Sequence, residues 1–227
     1  MFIRFCYSLL VTAGLICITM VPNHAYADAL GIKNTLSTIE IYAEKMVDAA
    51  LKKDGQALES INKNIQQSID VLHNKLSAQA FDERRSRELL MAYSWTRIIS
   101  IDIKQQAWIG VAIAANQLTA SMIRVTNYPN LQKRDIEWMD YLAREILLLN
   151  MEGPKENREL LRARYTDLQS TWHRISNELI INFRNKPLVL KGDALMLHMK
   201  NTDNVANIIA TAKKILVFVR KLENLQK

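Results

Sequence analysis

Apolar residues recur along most of this chain at alternating steps of three and four. Over 29–52, Ile32, Leu36, Ile39, Ala43, Met46 and Ala50 follow one another in that rhythm. At 3.6 residues per turn the spacing lays one continuous stripe down a helix. Leu58, Ile61, Ile65, Ile69, Leu72 and Leu76 do the same over 56–78. Asp54-Gly55 between them predicts a helix stop and a tight turn, because Gly enters the left-handed region at no steric cost. So short a turn pairs the two helices as an antiparallel hairpin.

Residues 82–126 contain no proline, and Gly110 is their only glycine. They read as one long central helix or as two helices broken within 100–106. The portion 107–125 is very apolar, yet it carries Asn116, Gln117, Thr119 and Ser121. Those polar groups suit a buried central helix better than a membrane span. Asn127-Tyr128-Pro129-Asn130 reads as a loop, with Asn130 as N-cap of a helix over 131–151. That helix carries Ile136, Met139, Leu142, Ile146 and Leu149. Gly153-Pro154 closes it and opens a successor running to 184, since Pro suits a first helical turn. Leu161, Tyr165, Leu168, Trp172, Ile175, Leu179 and Phe183 form the successor's stripe, and Asn185-Lys186-Pro187 ends it. A last helix begins between Gly192 and Asp203 and carries Val205, Ile208, Ala212, Ile215, Val219 and Leu222.

Strand-like alternation is absent. The predicted fold is all-α: an antiparallel bundle of five to seven helices, or two helical-hairpin units sharing a core. The pairs at 29–78 and 131–184 resemble each other, each turning on an acidic residue followed by Gly. At an offset of 103, Gln66, Asn74 and Leu76 meet Gln169, Asn177 and Leu179. That weak internal match raises a duplication.

The first 27 residues have another character. Arg4 is followed by an apolar run over 6–21, Pro22, and the small-x-small triplet Ala25-Tyr26-Ala27. This is the pattern of a secretory signal peptide cleaved between Ala27 and Asp28, which predicts a periplasmic or secreted protein with one helical domain over 28–227. An uncleaved leader acting as an anchor is the alternative. Both cysteines, Cys6 and Cys17, lie in the leader. The mature chain is thus expected to hold no disulfide, thiolate metal site, Cys nucleophile or c-type haem attachment. The net charge is +7, and only Arg4 among the charged residues belongs to the leader. Export makes nucleic acid an implausible partner for that charge. Another envelope protein or an anionic membrane surface fits better.

Candidate chemistry is sparse. Met196-Leu197-His198-Met199 is the densest group of soft ligands, a type that suits copper. If the last helix starts at Gly192, His198 falls on its core stripe with Ala194, Asn201 and Val205. It could then pair with His173 or a Met across the bundle as an axial haem ligand. Against this, Met commonly fills irregular gaps in helical cores. Asp70-x-x-His73 resembles half of a di-iron site, but no second copy exists. Gly-x-Ser-x-Gly, phosphate-loop and His-Glu-x-x-His motifs are all missing. Glu137, Asp140, Glu145 and Arg144 read as solvated or paired residues on polar helix faces. Trp138 at the edge of its stripe, the cluster Arg84, Arg85 and Arg87, and the pair Lys213 and Lys214 are candidate partner-binding residues. No cofactor is predicted. The sequence points to a non-enzymatic binding or accessory module, with a haem b or copper protein using His198, Met196, Met199 and His173 as the alternative.

Overall fold

The computed structural model describes the backbone of residues 23–183, 185–202 and 204–225, and the side chains of 30–181, 185–202 and 204–225. The expected leader and its cleavage point lie outside the described side chains. All regular structure among the described residues is helical: α1 (Asn23–Leu51), α2 (Gly55–Ser77), α3 (Glu83–Gln105), α4 (Trp108–Val125), α5 (Leu131–Glu152), α6 (Arg158–Phe183), α7 (Lys186–Lys200) and α8 (Val205–Asn224). Helices adjacent in the chain pack antiparallel.

The long segment 82–126 is two helices, divided between Gln105 and Trp108. Among the described residues there are eight helices rather than five to seven, because the stretch around Gly192 is a helix of its own and not the start of the last one. At the first break Gln106 adopts the left-handed conformation (φ 57°). Its N–H donates to Ile103 O, and the Ala107 N–H donates to Asp102 O. The α1–α2 turn closes the same way on Lys53 (φ 58°), with bonds from Lys53 N–H to Ala50 O and from Asp54 N–H to Ala49 O. Both are Schellman closures built without glycine. Gly55, expected to take the left-handed position, instead opens α2, and Asp54 caps that helix by accepting from the Ala57 N–H at 3.0 Å.

Asn130 caps α5 as expected, accepting from the Lys133 N–H at 2.8 Å. Gly153 closes α5, but α6 begins only at Arg158, four residues beyond Pro154. Pro187 lies in the first turn of α7, where its missing N–H costs nothing.

The helices form two rings of four. In the first, α1 packs on α2, α2 on α3, α3 on α4, and α4 back on α1; α5 to α8 repeat that order, and α4 joins the rings by packing on α5. The rings also agree in register. Arg158 stands 103 positions after Gly55 and Lys186 103 after Glu83, so α6 and α7 start where α2 and α3 predict. Buried Leu58, Ile65, Ile69 and Leu72 correspond at that offset to buried Leu161, Leu168, Trp172 and Ile175. For the fourth pair the offset is 97: Val111, Ala115, Leu118, Met122 and Val125 answer to Ile208, Ala212, Ile215, Val219 and Leu222.

The apolar run over 107–125 is the buried central helix α4. It packs on α1, α3 and α5, and so has almost no polar face. Residues 141–150 of α5 are buried on every side for the same reason. Among the described residues no helix is long and apolar enough to cross a membrane.

Candidate functional site

The joint between the rings leaves α1 and α5 apart, with α4 as a floor between them. Glu44 of α1 meets Arg144 of α5 across the gap, and farther up Glu40 faces Glu137. The two helices therefore run in the same direction along a cleft of about 420 Å3. Ile41 and Ile136 line its walls, and Thr119 and Ile123 its floor. Its polar groups are mostly acids: Glu40, Glu44, Glu137 and Asp140, with Glu223 of α8 at one side.

Three cations act on these acids. Arg144 is pinned between Asp140 at 2.7 Å and Glu44 at 3.2 Å. Lys133, in the first turn of α5, faces Glu40 and Glu137, and Arg220 of α8 acts on Asp140. The acids thus outnumber the bases inside a chain that is basic overall. The loop before α5 folds Tyr128 back so that its hydroxyl donates to Glu137 Oε2.

Titration follows from this crowding. Burial, with Glu137 and Glu44 alongside, pushes the Glu40 carboxyl up to about 8, against a smaller opposing pull from Lys133. Burial likewise raises Asp140 to about 6, although Arg144 pulls the other way. Glu137 is raised by burial, in spite of the hydrogen bond from Tyr128. Glu40 also has a geometric peculiarity: its Oε1 is buried and has no hydrogen-bond partner. Buried polar atoms are paired in the great majority of cases, so an orphan beside a cleft marks a place where something is missing.

The other buried charges are ion-paired within the protein, although Arg85 Nε, Arg144 Nη1, Glu145 Oε2 and Arg164 Nε, like Glu40 Oε1, make no hydrogen bond. Asp135 accepts two bonds from Arg174, at 2.6 and 3.1 Å, across α5–α6. Glu88 accepts from Arg124 at 2.8 Å across α3–α4. Glu145 faces Arg164 at 3.0 Å and accepts from the Gln117 amide at 3.0 Å. These pairs fix how neighbouring helices meet. Of the two expectations for these residues, pairing holds for Asp140 and Arg144 at i, i+4, whereas solvation does not: Arg144 and Glu145 are buried, and Glu137 and Asp140 are only partly exposed.

The residues singled out in the sequence are scattered. Met196 and Met199 are buried and line a second cleft, at the far end of the α5–α8 ring. His198 is exposed, because α7 stops at Lys200 and does not carry its register into α8. The stripe through Ala194, His198, Asn201 and Val205 is therefore not a core face. His173 is exposed on α6. Among the described residues no three His, Cys, Asp or Glu side chains are grouped to hold one metal ion.

Trp138 is half-buried, stacked on Tyr141 with ring centroids 4.7 Å apart and with the Arg124 guanidinium 5.8 Å from its own ring. Arg84 and Arg87 are exposed, whereas Arg85 is half-buried at the start of α3, where it donates to Gln79. Lys213 and Lys214 are exposed on α8. His73 and Asp70 share Tyr93, whose hydroxyl donates to Asp70 at 2.9 Å and lies 3.2 Å from His73 Nδ1.

Sequence reasoning missed the acidic cleft. One local signal was present: Glu40 and Glu44 form a like-charge pair at i, i+4 beside the apolar stripe of α1, an unfavourable spacing unless something offsets it. No family model, curated protein or solved structure matches this chain.

Proposed function

We propose that the mature chain is a non-enzymatic binding module of the cell envelope, and that its ligand seat is the acidic cleft between α1 and α5. The ligand class is an organic cation, an extended amine in particular. The observation that carries this reading is the buried, partnerless Oε1 of Glu40 in a cleft where acids outnumber bases. An ammonium group would supply the missing donor and offset the excess negative charge. The acids lie along the cleft rather than around one point, which suits an elongated cation better than a single metal ion.

Titration calorimetry with 1,5-diaminopentane at pH 8 tests the proposal. Saturable binding is expected, weakened at least about tenfold in Glu40→Gln/Glu137→Gln, as the loss of charge-assisted hydrogen bonds implies. Below pH 8 the bound cation should displace the proton held by Glu40, so the heat should vary with the ionisation enthalpy of the buffer. Absence of saturable binding, or equal binding by the double variant, would refute the assignment.

A further inference from the structure

The second ring lacks something that the first possesses. In the first ring α3 has 23 residues, and its last two turns bury Ile99 and Ile103. Trp108, the first residue of α4, then lies over Gly55 at the start of α2. Its ring edge would be 3.7 Å from a Cβ placed there. That end of the ring is plugged. In the second ring α7 has only 15 residues. The residue that answers to Trp108 at the offset of 97 is Val205, and the one that answers to Gly55 is Arg158. The plug has become a small side chain, and the glycine beneath it a long cation.

The result is a cleft of about 630 Å3 between the ends of α5, α6, α7 and α8. Its size lies within the range of ligand sites. Leu168, Met196, Met199 and Ile208 form its apolar floor, all buried. Methionine side chains adapt to flexible apolar guests. Arg158, Arg162 and Lys200 stand on its rim, exposed and without an ion-pair partner among the described residues. Among the described residues no carboxylate lines the cleft. An apolar floor beneath three cations that have no ion-pair partner among the described residues is complementary to one kind of guest.

We infer that this cleft binds an anionic single-chain amphiphile, its hydrocarbon chain on the floor made by Met196, Met199, Leu168 and Ile208 and its head group held by Arg158, Arg162 and Lys200. The site is separate from the acidic cleft and does not depend on that assignment. A carboxylate or a phosphate head meets the same guanidinium donors, with bidentate geometry available to both.

The full mature chain is titrated with palmitate and with lysophosphatidylglycerol, each below its micellar concentration, by displacement of a fluorescent anionic probe. Dodecyltrimethylammonium and a monoacylglycerol serve as cationic and neutral controls. Saturable one-to-one binding of at least one anionic amphiphile is expected, and the tighter of the two identifies the source of the head group. Arg158→Glu/Arg162→Glu should weaken it at least about tenfold. Val205→Trp, which restores the plug of the first ring, should abolish it while circular dichroism and melting temperature stay at wild-type values. The inference is overturned if neither anionic amphiphile binds, if the cationic control binds as tightly as the anionic ones, or if a folded Val205→Trp binds like wild type.

Discussion

Replacing Glu40 by Gln should make the protein more stable at pH 8 and leave it nearly unchanged at pH 4.5. Gln has the shape of the protonated carboxyl, so packing is kept and only the titration is removed. In the unfolded chain this carboxyl returns to its ordinary value of 4.5, whereas in the native state it is pushed up to about 8. Between those limits the native state holds a proton that the unfolded state has released. Its stabilising contribution is therefore complete below pH 4.5 and is lost as pH rises through 8. The slope is about 1.4 kcal/mol per pH unit, or about 5 kcal/mol across the whole interval, an upper figure because Glu137 and Asp140 relax with it. Urea unfolding followed by circular dichroism at half-unit steps from pH 4.5 to 8.5 measures the difference. The wild-type curve should fall away from the variant by about 1 kcal/mol or more per unit between pH 5 and 7.5. Parallel curves would show that Glu40 is ionised and solvated at neutral pH, and the reading of the cleft as an acid-rich seat in need of a cation would lose its energetic basis.

Gly192→Ala should cost about 2 kcal/mol or more. The added Cβ would stand 2.1 Å from the Trp172 ring, which is held by a 2.8 Å bond to Asp193 and by edge-on packing on Phe218, so thermal melting should show a clear drop despite the helix preference of Ala. Arg174→Ala should destabilise by about 2 kcal/mol, since it takes two charge-assisted bonds from a buried Asp135. Arg174→Lys should recover only part of this, because an ammonium cannot reproduce the paired geometry. Ile65→Ala and Leu168→Ala empty corresponding, fully buried positions of the two rings and should each cost about 2–5 kcal/mol in chemical denaturation. As α2 and α6 do not touch, the double variant should lose the sum to within about 0.5 kcal/mol.

The helical stripes were readable because each lies on one helix and obeys one period. Ile32 to Ala50 and Leu58 to Leu72 are the buried faces that their spacing predicts. Helix ends were less readable. Lys53 takes the left-handed position expected of Gly55, Gln106 takes another that no glycine marked, and Gly192 breaks nothing. It gives Trp172 room to approach, a requirement set by another helix. The sequence leaves 82–126 open as one helix or as two broken within 100–106; it is two, and the break falls between Gln105 and Trp108.

Local pattern alone determines that this chain is helical and where most of its apolar faces lie. Those properties depend on neighbours one turn away, and the chain carries them in order. Tertiary structure decides which charges share a space. Glu40, Glu44, Glu137 and Asp140 come from helices some ninety residues apart, and each looks like an ordinary surface acid until α4 draws α1 and α5 to either side of it. The open end of the second ring is decided in the same way. A shorter α7 and a valine in place of a tryptophan mean little in the chain, and acquire their meaning only where four helices must close around a core.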